Sequence, residues 1–437
     1  MYFRRLDTTM IRDVICILGG AGTEREYILI LCLRVIGGLY MVDVSNIRFA
    51  YSETTGSKLK YRASGNKIRI VYLMTSCRKS GPTQVIMNIL KYLDQSIFEP
   101  ILITIYDEYK STCLTDVLPY VSAHYMVKTG KKDVLLGRIS ALRKKLEELN
   151  PDVIYSTGVF PMYAVAKISP KKQIITLHCN MYVDYPMKFG KIRGTILAFM
   201  QLYAMKRSTK AIACSRSLRD IYRDRLGLNF DFICNGVDLN QYTLPTESEK
   251  RNLREKLGLP LNAFIYVCVG SLIAIKNVPF LVESYASAFG SDEAVYLLLL
   301  GDGPDRKILE ERYADNHQID FRGNVRNVSE FLKACDVYVS SSKSEGLPKS
   351  VMEAMATGLP VVLSDIEQHK EFFEGDAKIG YLYKQGDSAD MIEKLRLIFG
   401  KGAAEAGRIA YEVVRERFNA EKMSLQYQEV YRKVAGR

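Results

Sequence analysis

Residues 344–365 read SEGLPKSVMEAMATGLPVVLSD, and the reading of this stretch decides the fold. Gly346 gives the segment a side-chain-free loop entry. Pro348 suits the first helical position, where its missing N–H costs nothing. From Lys349 to Thr357 the residues are mostly helix formers, and Gly358-Leu359-Pro360 stops the run. PVVLS then reads as a buried strand. Glu345 and Glu353 fall eight positions apart around the start of this short helix, with Lys349 as the only cation between them. A free helix N-terminus favours a negatively charged or strongly hydrogen-bonding ligand. Carboxylates beside it repel a phosphate but suit sugar hydroxyls. A sugar diphosphate has both parts.

Outward from this segment, apolar runs alternate with helical patterns. From Lys67 onward come IRIVYL, the polar loop TSCRKSGPTQ, the amphipathic VIMNILKYL, ILITIY, the helix GRISALRKKLEEL, and the short runs VIYSTG, QIITLH and AIACS, closing at FICNGVD. The helix expected between QIITLH and AIACS, about Lys188 to Lys210, is basic and apolar. A second series starts near Phe264 with FIYVCVGSL, YLLLLGDGP, IDFRGNV and VYVSSS, and includes the Glu345 segment. One long helical stretch, about Ala404 to Ala435, ends the chain. Strands that are apolar throughout, alternating with helices, imply parallel sheets covered on both faces. The fold class expected is α/β, with two doubly wound, Rossmann-like domains facing across a cleft. The boundaries read as an N-terminal extension at 1–66, a first domain at 67–238, a second at 239–415, and a C-terminal helix at 416–437 crossing back to the first domain.

The composition narrows the function. The chain has 437 residues, enough for two or three full cores, with 48% hydrophobic and 25% charged residues. Nine cysteines, scattered without a C-x-x-C pair, indicate a reducing compartment. Four histidines without paired spacing give no zinc signature. The net charge is +12, and between Val153 and Arg219 eleven Lys or Arg stand against one acid, Asp184. Such a run is commonly a solvated surface. Its sharper reading is a face for anionic membrane lipids or an anionic lipid-linked substrate. No nucleic-acid-binding motif accompanies the basic residues. The longest transmembrane candidate, Tyr27 to Val42, is too short and carries Arg34. ILGGAGTERE within the extension is Gly-rich, but a lone Gly cluster has little specificity. Residues 52–67 read as a linker.

Ligands of doubly wound sheets bind beyond the carboxyl ends of the strands. Six candidate segments lie there. SGPTQ opens a helix whose amides, near Gly81, suit a phosphate. His178 follows a strand end. Lys276, in VGSLIAIKN, can neutralise a departing diphosphate, although on spacing alone it reads as a surface lysine. GDGP (301–304) reads as a structural turn. FRGNV (321–325) offers backbone groups at Asn324 and Val325 to a planar base. Glu353, mid-helix among apolar residues, needs partners that sugar hydroxyls would supply. No D-x-D occurs anywhere in the chain to hold a divalent ion on a diphosphate.

In their order along the chain, ACSRS (213–217), NGVD (235–238), GDGP, FRGNV and the E-x7-E segment resemble the retaining, GT-B-fold nucleotide-sugar transferases of glycosyltransferase family 4, of the bacterial surface-polysaccharide type. The resemblance spans about Lys67 to Ala435. It implies that Glu345 contacts the donor sugar near its reacting carbon. It implies that amides around Gly346, Leu347, Pro348, Lys349 and Ser350 bind the sugar or its phosphate, and that Glu353 holds the ribose. Lys276 would stabilise the leaving nucleoside diphosphate, His178 would face the reacting sugar, and the Gly81 loop would approach the diphosphate from the other domain. It also implies retention by same-face attack and no metal or cofactor, the nucleotide sugar being a substrate. The family usually has Arg where this chain has Ser271, so the diphosphate's charge falls to Lys276 or to Arg78, Lys79 or Lys349. The expected function is transfer from a UDP- or GDP-sugar to a hydroxyl of a lipid-linked saccharide. The expected place is cytoplasmic, peripheral on the inner membrane face. The rivals are a UDP-sugar 2-epimerase on the same fold and a non-catalytic nucleotide-sugar-binding subunit.

Overall fold

A computed structural model describes residues 67–78, 80–108, 112–399 and 402–437, with the backbone of three earlier strands. Those strands, β1 (Ile11–Gly19), β2 (Ile28–Val35) and β3 (Gly38–Asp43), form an antiparallel sheet of order β1-β2-β3 within a unit of residues 1–58. The stretch Tyr27–Val42 thus contains two strands, and no helix among the described residues is long and apolar enough to cross a membrane. The Gly-rich turn at 20–26 and the linker at 52–66 lie outside the described residues.

From residue 59 the chain is one compact unit built on two sheets. The first contains β4 (Ile68–Met74), β5 (Phe98–Thr104), β6 (Ala123–Met126), β7 (Val153–Ser156), β8 (Gln173–Leu177), β9 (Lys210–Ala213) and β10 (Asp231–Phe232), in the order β10-β9-β8-β7-β4-β5-β6. The second contains β11 (Phe264–Val269), β12 (Val295–Leu300), β13 (Ile319–Gly323), β14 (Val337–Ser340), β15 (Val361–Ser364) and β16 (Gly380–Tyr383), in the order β13-β12-β11-β14-β15-β16. Every pairing in both sheets is parallel. Strands β5, β7 and β8 are buried at every position because helices cover both faces. In each sheet the order reverses beside the first strand. Crevices therefore open at the carboxyl ends of β4 and β7 and of β11 and β14.

The chain crosses between the two lobes twice, at 235–238 and at 418–420. The two crossings bond to each other: Val237 N–H donates to Phe418 O (2.8 Å), and Ala420 N–H to Val237 O (3.0 Å). A Cβ on Gly236 would lie 2.6 Å from the Ala420 backbone, so the crossing requires glycine. The C-terminal helical stretch is two helices, Ala403–Arg417 and Ala420–Ala435, not one. Asn419 breaks it by capping the second helix, its side chain accepting from Glu421 N–H (2.7 Å). That helix returns to the first lobe, where Ser424 Oγ donates to Ile89 O (2.8 Å) and the Tyr427 hydroxyl meets Thr176 Oγ1 (2.9 Å). The expected basic helix is likewise two, Met181–Phe189 and Lys191–Arg207, divided at Gly190 with φ 81°. The pair packs closely: a Cβ on Gly194 would stand 2.4 Å from Pro186 N.

Candidate active site

The crevice between β11 and β14 is built from two loops that hold each other. After β11 the chain runs through Gly270 and Ser271 to Lys276. The GDGP turn fixes this loop: Leu272 N–H donates to Asp302 O (3.0 Å), and a Cβ on Gly301 would sit 1.8 Å from Gly270 O. The glycines of that turn therefore serve close backbone approach. After β14, Ser341 Oγ donates to the carbonyls of Lys276 and Asn277 (2.9 Å each). Asn277 adopts the left-handed conformation, φ 53°, at the start of the helix Val278–Phe289. These bonds aim Lys276 at the end of β14.

There Lys276 Nζ pairs with Glu345 Oε1, which also accepts from Ser342 Oγ (2.6 Å). The sequence reading gave Glu345 no cation but Lys349, and the structure corrects this: its partner lies 69 residues away. Burial raises the Glu345 carboxyl's pKa, but the Lys276 ammonium and the two hydrogen bonds outweigh it and hold it below the ordinary value. Glu345 is therefore an anion at neutral pH.

Glu353 is corrected as well. It is not an unpaired charge, because Lys349, one turn earlier, reaches it at 2.9 Å, both side chains being 13% exposed. The buried Tyr242 hydroxyl lies near Glu353, its own pKa pushed up first by burial and then by that charge. The helix runs Lys349–Ala356, with Pro348 in the capping position and not the first helical one. No side chain caps it, which leaves its first amides for a ligand. Ser350 is turned aside, its Oγ 2.7 Å from the Tyr338 hydroxyl.

The first lobe grips this loop from the opposite side. Ser344 Oγ donates to Asp184 Oδ1 (2.8 Å), Ser215 Oγ to Gly346 O (2.8 Å), and Asn235 Nδ2 to Leu347 O (3.3 Å). A Cβ on Gly346 would stand 2.1 Å from His178 O. Glu371 reaches back to the first lobe, accepting from Arg216 N–H (2.9 Å), Ser217 N–H (3.0 Å) and Ser217 Oγ (2.8 Å). His178 therefore faces the loop with its backbone. Its Nε2 is buried without a partner, and burial pushes its pKa down to about 4, so the ring is neutral. Asp184 is buried with its pKa raised, chiefly by burial, against the pull of Lys188 and Ser344 and with a further push from Glu345.

A profile described as "Glycosyl transferases group 1" matches residues 263–400, and one described as "Glycosyltransferase Family 4" matches residues 79–241. The chain belongs to these glycosyltransferases. Among curated relatives, the putative teichuronic acid biosynthesis glycosyltransferase TuaC of Bacillus subtilis is 30% identical over 51% of this chain. That match spans about half of TuaC, 55% of its length. A UDP-Gal:alpha-D-GlcNAc-diphosphoundecaprenol alpha-1,3-galactosyltransferase of Escherichia coli is 24% identical over 76% of this chain and 88% of its own. The solved structure of HepE from Anabaena, in complex with UDP, superposes with a TM-score of 0.70 at 19% identity, covering 84% of this chain and 100% of that one. The likeness establishes the GT-B architecture.

Within this glycosyltransferase frame the other expected residues scatter more. Ser271 is exposed and lines a small cavity with Lys276, Ser340 and Ser342. Asn324 is exposed and Val325 half-buried at the end of β13. Gly81 opens the helix Gly81–Lys91 behind the Ser80 cap, and a Cβ there would meet nothing within 4 Å. The loop before it already holds an anion, since Cys77 N–H donates to both oxygens of Glu108 (3.0 and 2.9 Å). Arg78 bridges to Thr112 across this loop, and Lys79 lies outside the described residues. Sequence reading missed Asp184 and Ser342 as parts of the site. NGVD and ACSRS were visible as motifs, but their work, holding the Glu345 loop from the other lobe, was not.

Proposed function

We propose that this glycosyltransferase moves a sugar from a UDP- or GDP-sugar to a hydroxyl of a lipid-linked saccharide, with retention and without a metal, in bacterial surface-polysaccharide synthesis. The Glu345–Lys276 pair beside the uncapped helix Lys349–Ala356, at the β11/β14 crevice, carries this reading. In the absence of donor, three carboxylates (Glu345, Glu353, Asp184) face three ammonium groups (Lys276, Lys349, Lys188). A donor adds a diphosphate to this balanced set. The helix amides meet part of that charge. Lys276, 25% exposed and on a pinned loop, meets the charge that develops on the leaving phosphate. Glu345 then orients the sugar hydroxyls, Glu353 and Tyr242 the ribose, and His178 lies on the face from which the acceptor approaches. Acceptor attack on the face the diphosphate leaves retains the anomeric configuration.

The deciding assay offers a panel of UDP- and GDP-sugars with polyprenyl-diphosphate saccharides. The expected result is transfer from one donor, unchanged by EDTA, with the donor's anomeric configuration in the product by NMR. Loss of transfer in EDTA would remove the metal-free step, an inverted product the retaining one, and binding without turnover the enzyme.

A membrane contact supports the lipid-linked acceptor. Residues 187–193, MKFGKIR, are exposed at every position, and Met187, Phe189 and Ile192 are 41%, 48% and 62% exposed beside Lys188, Lys191 and Arg193. Asp184, at the site, is on the helix that ends at Phe189. Apolar tips ringed by cations suit an anionic bilayer surface. The protein is expected to cosediment with phosphatidylglycerol-containing vesicles at 0.15 M salt, and Phe189→Ser with Ile192→Ser to weaken this about tenfold. Equal retention by neutral vesicles, or none by anionic ones, would exclude the contact.

A further inference from the structure

His369 is fully buried, lies outside the donor contacts above, and is wired to Glu345. Its Nδ1 lies 2.8 Å from Ser364 O and 3.1 Å from Ser364 Oγ. Ser364 Oγ donates its hydrogen to Ser342 O (2.7 Å), and Ser342 Oγ donates to Glu345 Oε1 (2.6 Å). This chain of bonds fixes the tautomer. A carbonyl accepts only, and the Ser364 hydroxyl hydrogen is already used, so Nδ1 carries the proton and Nε2 is a bare lone pair. Nε2 is buried without a partner. A buried polar atom left unpaired is costly and calls for an explanation.

Burial pushes the ring's pKa down to about 4; the Glu345 charge and the bond to Ser364 work against this, and the Lys276 charge adds a smaller push downward. On its own short helix, Glu367 and Lys370 pair with each other at the surface (2.9 Å), and the neighbouring Glu371 turns its carboxylate to Arg216 and Ser217. Lys276 therefore opposes the anion that favours the protonated ring.

We propose that His369 is the reserve counter-ion of Glu345: when a diphosphate draws Lys276 away, Nε2 takes a proton from solvent and the imidazolium becomes the cation linked to the carboxylate through Ser364 and Ser342. The inference rests on Lys276 serving the leaving diphosphate. It makes donor binding a proton-uptake step and keeps Glu345 anionic, paired and oriented while its lysine is engaged elsewhere. The arriving diphosphate favours the imidazolium in the same direction.

The test needs no donor, so its failure is separate from failure of the transferase reading. The chain has four histidines, and selective 13C labelling of their ring carbons gives four signals, with His369→Gln assigning one. In wild type the His369 signal is expected to stay that of a neutral ring down to about pH 5. In Lys276→Met, which removes the ammonium permanently, its midpoint is expected to rise by more than about one pH unit. In Lys276→Met with Glu345→Gln it is expected to fall back. An unchanged midpoint in Lys276→Met, or a raised one that survives Glu345→Gln, would overturn the proposal. If Lys276→Met collapses the four signals to one unfolded position, Lys276→Gln gives the same reading with smaller packing change.

Discussion

Transfer by the Glu345→Gln variant is expected to fall by about 10²–10³-fold in kcat/KM, about 3–4 kcal/mol of transition-state stabilisation. The amide keeps the shape and still accepts from Ser342 and Lys276, but it no longer offers an anion to the sugar face. Folding should change little. Lys276 is a quarter exposed, so its ammonium can turn to water when its partner's charge is removed. Steady-state kinetics beside thermal unfolding checks both halves. Turnover within threefold of wild type would remove Glu345 from the reacting face. A large drop in Tm with proportionate loss of activity would make it a structural residue only.

The second large effect is expected from adding a single carbon. Gly346→Ala places a methyl 2.1 Å from His178 O, 2.7 Å from His178 C and 3.0 Å from Cys214 Sγ. Two of these are backbone atoms at the end of β8, which cannot swing aside as a side chain would. The loop must retreat from the first lobe, loosening the bonds of Ser344 to Asp184 and Ser215 to Gly346. A shift of about 1 Å in an oriented site costs roughly 10²-fold in rate. The expected result is a kcat lower by about that factor, with destabilisation of about 1–3 kcal/mol. Wild-type kcat in Gly346→Ala would show that the reaction does not need the lobes seated in this contact.

The same residues show what was legible beforehand. Apolar runs located β4, β5, β7, β8 and most of the second sheet, because strands buried on both faces leave no polar positions to blur the signal. β6, AHYM, was not legible, since only Ala123 is buried and an edge strand needs no continuous apolar run. The helical breaks at Gly190 and at Phe418-Asn419 were missed too. Both lie in stretches whose composition stays helical, and both are imposed by packing: Gly194 against Pro186, and Val237 against Phe418 and Ala420.

For the site, the one-dimensional order of residues was enough to put Glu345, Lys276 and His178 at strand carboxyl ends, because alternating parallel topology sends every such loop to one side of its sheet. It was also enough to predict a free helix start at Pro348, one position before the observed one. Which charges meet was decided only by the folded chain. Lys276 reaches Glu345 across 69 positions and Ser344 reaches Asp184 across 160. Periodicity encodes whether a side chain is buried, but an ion pair depends on the distance between loops from different strands and different lobes. For that reason the opening carboxylates, read in sequence as a pair with one cation between them, are in the folded protein two separate ion pairs. One of them is connected through Ser342 and Ser364 to a buried histidine that no local pattern announces.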